Sequence, residues 1–200
     1  MISRKARTAL LLTLAATFSC SALAEEASPT PPDLAALIEC RADHAALIEL
    51  IPIMEQPLRA VALGWRPQAQ TNPFMLEYRL NTPIKVFGRE AEHIAFAGEA
   101  VMAVLDIPDP RTLARELELE TGIDTPQKAL FGREIRVTEL ARDADGIDWE
   151  EAVILNVSNV HSHPGKTLAG CSYSRSPVET EPGDEPAAEA TASPVGAVPR

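Results

Sequence analysis

Residues 159–166 bring two histidines and a lysine close together in the chain. The segment reads Asn-Val-His-Ser-His-Pro-Gly-Lys, and its reactive side chains are His161, His163 and Lys166. The run His-Pro-Gly-Lys predicts a tight turn, because proline presets one corner and glycine accepts the positive φ of the next. Alternation along an extended approach places both imidazoles on one side, near the lysine. We expect this preorganised hairpin loop to bind a protein partner.

The same histidine pair allows two other interpretations. A His-x-His pair in its neutral form can seat a transition metal, although a stable site needs a third and a fourth ligand from elsewhere in the chain. The alternative function is therefore a metal-binding protein that uses His161 and His163. A solvent-exposed turn with incidental histidines is the third interpretation. Because no further ligands stand at readable spacing, we assign no metal ligand and no cofactor.

Signatures of enzymes are missing from the sequence. It has no Gly-x-Ser-x-Gly elbow, no phosphate-cradling glycine loop, no His-Glu-x-x-His and no Cys-x-x-Cys. We predict no catalytic residue and favour a non-enzymatic binding or accessory protein, with an unrecognised hydrolase as the remaining enzymatic alternative. The acidic segment from Asp143 to Asp148 could attract calcium, but it fails the EF-hand spacing and favours a hairpin turn.

Three cysteines stand at positions 20, 40 and 171. Cys20 lies in a segment that reads as an export signal, which leaves Cys40 and Cys171 as an even pair. In an oxidising compartment such a pair predicts a disulfide, here between the first helix and the last strand. A competing interpretation pairs Cys40 with His44, one helical turn on, as a thiolate and its base or as two metal ligands.

The two ends of the chain differ in composition from the middle. Residues 1–24 have three cationic side chains, an apolar run from Ala9 to Phe18 and Ala-Leu-Ala before Glu25, the pattern of a cleaved secretory signal. The apolar run is too short to span a bilayer, so we predict a periplasmic protein with no membrane span after cleavage. Residues 174–200 are rich in proline, alanine and acids, which predicts a disordered tail. Residues 25–173 remain as a single domain.

The balance of charge excludes further classes of function. The chain has 18 Lys and Arg against 29 Asp and Glu, a formal net charge of −11. An acidic protein without a basic stripe repels phosphate backbones and anionic lipid surfaces, so we expect no nucleic-acid binding. A partner in the cell envelope is compatible with this charge.

Hydropathy patterns predict an α+β fold. Asp33 is a helix cap before apolar residues at helical spacing, and we expect this helix to end before Pro52. Glu55 to Trp65 is expected to form a second, shorter helix, so that one N-terminal helix, or two, packs on the sheet. Short apolar runs from Met75 onward predict a mainly antiparallel sheet. Asp109-Pro110 opens one inserted helix that Gly122 is expected to close.

Overall fold

A computed structural model of the protein describes residues 32–178, which form a single sheet-rich α+β domain. The helices are α1 Leu34–Ile38, α2 His44–Ile48, α3 Ile51–Met54, α4 Pro57–Ala62 and α5 Pro110–Glu116. The strands are β1 Trp65–Pro67, β2 Leu76–Val86, β3 Arg89–Ala97, β4 Ala100–Leu105, β5 Glu120–Asp124, β6 Ala129–Glu139, β7 Trp149–Ser158 and β8 Thr167–Pro177. Among these residues no helix has the length and apolar character needed to cross a membrane.

All eight strands belong to one sheet in the order β1-β2-β3-β4-β8-β7-β6-β5. Every neighbouring pair is antiparallel, which confirms the predicted sheet type. The last strand, β8, lies between β4 and β7, so it joins the β1–β4 half of the sheet to the β5–β7 half. β8 continues to Pro177, beyond the domain end expected at Tyr173. The predicted signal segment and the rest of the predicted tail lie outside the described residues.

The helical region before β1 is more broken than its apolar periodicity predicts. Asp33 caps α1 as expected, its carboxylate accepting a hydrogen bond from the Ala36 amide at 2.8 Å. The chain then leaves the helix at Cys40, whose φ is +59°, and Asp43 caps a new helix, α2. α2 ends at Ile48, before Pro52 as expected. The proline then occupies the first turn of a further helix that was not expected, α3, where its missing N–H costs nothing.

The inserted helix begins as predicted and ends earlier. Asp109 caps α5 and Pro110 is its first residue. The helix gives way at Leu117 and Glu118, where Glu118 takes a φ of +55°. Gly122, expected to close the helix, lies instead within the edge strand β5. A non-glycine residue in the left-handed region thus makes the turn that glycine was expected to make.

The sheet is covered on two faces by clusters of different size. Tyr78 pairs with Ile94 across β2 and β3, and both lie in the main core with the apolar side chains of α1. Neighbouring residues along a strand point to opposite faces, so Glu77 and its cross-strand partner Ala95 point away from that core. Ala95 belongs to a small second cluster, whose members are Met75, Ala95, Val104 and Leu168, with Val160 packed against it.

The predicted disulfide is confirmed. Cys40, between α1 and α2, is bonded to Cys171 of β8, with Cα atoms 5.2 Å apart. Both residues are buried. Nearby, the hydroxyl of Tyr173 donates a hydrogen bond to the Leu37 carbonyl at 2.7 Å. The covalent bond and this hydrogen bond both fix α1 to the central strand.

Candidate metal centre

Three side chains that could bind a metal converge on the second face of the sheet. They are Glu77 of β2, His93 of β3 and His163 of the 159–166 loop, which joins β7 to β8. One carboxylate oxygen, Glu77 Oε2, lies 2.9 Å from His93 Nε2 and 3.0 Å from His163 Nε2. One ligand atom from each of the three residues lies within 4.8 Å of the others. The cluster therefore has the donor types and the spacing of a three-ligand metal site.

Strand register brings the first two residues together. Glu77 pairs with Ala95 and Arg79 pairs with His93, so Glu77 and His93 are diagonal neighbours on one face of the β2–β3 ladder. Side chains at such diagonal positions are within contact distance when they are long. Sixteen residues separate the two along the chain, a spacing that indicates contact only once the strand pairing is known.

The 159–166 loop supplies the third side chain. The Lys166 amide donates to the His163 carbonyl at 3.2 Å, and Gly165 has a φ of +72°, as the predicted proline-glycine turn requires. His163 itself points inward, towards Glu77. The Ser162 hydroxyl lies 3.0 Å from His163 Nδ1, and Asn72 donates to that hydroxyl at 3.4 Å. These outer contacts orient the imidazole so that Nε2 faces the carboxylate.

Burial of the cluster is uneven. The Glu77 and His163 side chains are 5% and 8% exposed, whereas 27% of the His93 side chain reaches solvent. The second carboxylate oxygen, Glu77 Oε1, is fully buried and has no hydrogen-bond partner among residues 32–178. A buried carboxylate oxygen without a partner is costly. The cluster thus contains an unused acceptor beside two imidazole nitrogens.

The surroundings favour the neutral form of the solvent-facing histidine. Burial is the largest influence on His93 and lowers its pKa below the ordinary value near 6.5. Glu77 opposes that shift, and the nearby His163 and Arg79 add to it. Only the neutral imidazole offers a lone pair to a metal.

The three residues expected to act together in the 159–166 loop differ in exposure. His161 is exposed and His163 is buried, although both border one small cleft with Lys166. The loop turns between them instead of running extended. The half-exposed Lys166 forms an ion pair with Asp106. Binding of a protein partner by His161, His163 and Lys166 stays a prediction, with His161 the imidazole best placed to reach a partner.

The other candidate groups have different roles in the structure. Cys40 is in the disulfide, so it is neither a thiolate beside His44 nor a metal ligand. His44 lies between two carboxylates, 3.5 Å from Glu99 and 3.8 Å from Glu151. In the acidic segment, Asp143 accepts hydrogen bonds from the Asp145 and Ile147 amides and from the Trp149 indole. Those bonds stabilise a turn, as predicted.

Glu77 and His93 were missed by sequence reasoning. Leu76, Tyr78 and Leu80 alternate with Glu77 and Arg79, so the sequence places Glu77 on the polar face of the strand. Its burial is apparent only from the structure. Comparison of the chain with protein-family models, with curated proteins and with solved structures finds no match.

Proposed function

We propose that this protein binds one divalent transition-metal ion through Glu77, His93 and His163, and that it does so outside the cytoplasm after export. The observation that carries the proposal is the convergence of three ligand atoms from two strands and a loop around a buried carboxylate. Two imidazoles and one carboxylate are a set that suits zinc, and such three-ligand sites leave a coordination position open.

The spacing of the ligand atoms supports this assignment. Bonds of about 2.0 Å in tetrahedral geometry place neighbouring ligand atoms about 3.3 Å apart. The present separations of 2.9 and 3.0 Å from Glu77 Oε2 to the two Nε2 atoms are shorter by only a few tenths of an ångström. Small rotations of the side chains would therefore open the cluster to accept an ion.

The charge of the cluster also supports a cation. Glu77 places a carboxylate in a site that is almost closed to water, and isolated buried charge is strongly unfavourable. Contacts of Oε2 with two imidazole nitrogens offset part of that cost, and Oε1 has no partner among the described residues. A divalent ion would neutralise the carboxylate and use the lone pairs of all three side chains.

The disulfide supports the export part of the proposal. Bonds of this kind persist in oxidising compartments and are rare in the cytosol. The bond between Cys40 and Cys171 is fully buried and fixes α1 to the central strand. The disulfide thus supports the periplasmic location that the N-terminal signal pattern predicts.

Metal titration of the purified protein tests the proposal. We expect the chelator-treated protein to bind one Zn²⁺ or Co²⁺ per chain, with Co²⁺ giving a visible absorption band from imidazole and carboxylate ligands. Ion at about 100 times Kd should raise the free energy of unfolding by about 2.7 kcal/mol. Glu77→Gln and His163→Asn should each abolish stoichiometric binding.

Two histidines outside the cluster provide matched controls. His161→Asn changes the exposed neighbour in the same loop, and His44→Asn changes a histidine that already lies between carboxylates. Both variants should bind metal as the native protein does. Far-ultraviolet circular dichroism checks that each variant is folded. Absence of binding by the folded native protein, or equal binding by folded Glu77→Gln, would refute the proposal.

A further inference from the structure

A cleft of about 340 Å³ lies beside the candidate metal centre. His93 is on its wall and is the one side chain of the cluster that borders it. Glu77 and His163 are more than nine-tenths buried, whereas His93 is 27% exposed. Solvent therefore meets the cluster at His93, on the side of this cleft.

Charged side chains dominate the rest of the cleft. They are Arg79, Glu90, Glu92, Asp106 and Lys166. Arg79 forms an ion pair with Glu92 at 2.6 Å, and Lys166 forms one with Asp106. Glu90 makes no ion pair within the part of the chain that the structure describes, so acids outnumber cations in this cleft.

Lys166 and Asp106 lie side by side in the cleft, because they adjoin Thr167 and Leu105, which pair across β8 and β4. Lys166 belongs to the 159–166 loop, three residues after His163, and Asp106 directly follows β4. Both side chains are exposed enough to separate in water, at 41% and 87%. The pair thus places one cation and one carboxylate in the same cleft as His93.

From this arrangement, and resting on the proposed metal site, we infer that a divalent cation reaches the cluster through this cleft and that Lys166 and Asp106 set its rate of access. The carboxylates attract the approaching ion, and the lysine repels it until the ion takes its place beside Asp106. The same charges slow an anion, so the route favours the free cation over an anionic chelate.

Rates of metal association test this inference directly. Stopped-flow mixing with Co²⁺ at about 10 mM ionic strength should give faster association for Lys166→Gln and slower association for Asp106→Asn. One unit charge about 10 Å from a dication in water changes the rate by about threefold to fourfold. At about 0.5 M salt both differences should disappear, because the Debye length falls to a few ångströms.

A second surface ion pair supplies the controls. Arg142 and Asp148 lie in the β6–β7 hairpin, are paired at 2.5 Å and are exposed. Arg142→Gln and Asp148→Asn repeat the two charge changes away from the cleft and should leave the association rate within about 1.5-fold of native. They separate an effect of net charge from an effect of position.

The outcomes distinguish the access route from the metal site itself. The access route would be refuted, and the metal site left unaffected, by any of three results. These are native-like association rates in both cleft variants, rate changes in the same direction, and rate changes that persist at high salt. No Co²⁺ binding by the folded native protein would instead remove the proposed function. Opposite, salt-sensitive changes confined to Lys166→Gln and Asp106→Asn would support the inference.

Discussion

Reduction of the Cys40–Cys171 bond should remove a large part of the stability of the domain. The bond joins residues 131 positions apart. Restricting a denatured chain of that length has an entropic effect worth about 5 kcal/mol at 25 °C. Single domains are stable by only about 5 to 15 kcal/mol in total. We therefore expect the reduced protein to be folded but marginal, with Tm lower by about 10 to 20 °C.

Urea unfolding of three forms isolates the covalent contribution. The oxidised native protein and the same protein in reducing agent contain identical atoms apart from the bond and its two hydrogens. The Cys40→Ala/Cys171→Ala variant also lacks the packing of two buried sulfur atoms. Its free energy of unfolding should therefore be about 1 to 2 kcal/mol below that of the reduced native protein.

A small difference would refute this reasoning. If oxidised and reduced protein differ by less than about 1 kcal/mol while both unfold cooperatively, the denatured chain is not restricted as a loop of this length requires. The dependence of the unfolding free energy on urea concentration checks the state of the denatured chain. A smaller slope for the oxidised than for the reduced protein indicates that the disulfide keeps the denatured chain more compact. Equal slopes leave the loop-entropy argument without support.

Two further predictions concern the central strand. Burial raises the pKa of Tyr173 to about 12, so its contribution to stability is complete below pH 10 and is lost as pH rises through 12. That loss amounts to about 2 to 3 kcal/mol and should shrink in Tyr173→Phe when unfolding is measured across this range, whereas an unchanged profile would contradict the assignment. Gly170→Ala places a Cβ 2.1 Å from the Val101 carbonyl oxygen, so β4 and β8 must separate and urea unfolding should show a loss of more than about 3 kcal/mol. Gly122→Ala, whose Cβ has only ordinary contacts at 3.4 Å or more, is the matched control, and similar losses for both variants would refute the steric argument.

Local signals predicted the elements whose boundaries depend on nearby residues. Asp33 and Asp109 cap helices by accepting hydrogen bonds from amides two or three residues further on, so sequence neighbours suffice to identify them. Period-two apolar runs identified most strands for the same reason. The disulfide was predictable because Cys20 lies in the segment predicted to be a signal, and setting it aside leaves one pairing of the other two cysteines.

Elements that depend on distant packing were not predictable in the same way. The apolar period that begins at Leu34 continues past Cys40, yet the helix breaks there, where Cys40 bonds to a strand far along the chain. The backbone at Cys40 takes a left-handed conformation that its residue type does not favour. Tertiary contact with β8 therefore overrides the local helical pattern.

The residues of the candidate metal centre also differ in how far the sequence predicts them. His163 was identified because it stands in a distinctive short segment. Glu77 and His93 were not, since their meeting depends on the β2–β3 register and on a loop 86 residues away from Glu77. Cross-strand diagonal pairs leave no fixed spacing in a sequence, because the intervening turn sets it.

The position of β8 links the assembly of the sheet to the chemistry of its cysteines. β8 is the last of the eight strands in sequence and lies between β4 and β7. Until β8 pairs, β4 and β7 each have one edge without a neighbouring strand, and β8 covers both edges when it enters the sheet. Cys171 travels on that strand, so it meets Cys40 only when the two halves have joined. The disulfide therefore identifies a chain in which β8 has already joined the two halves of the sheet.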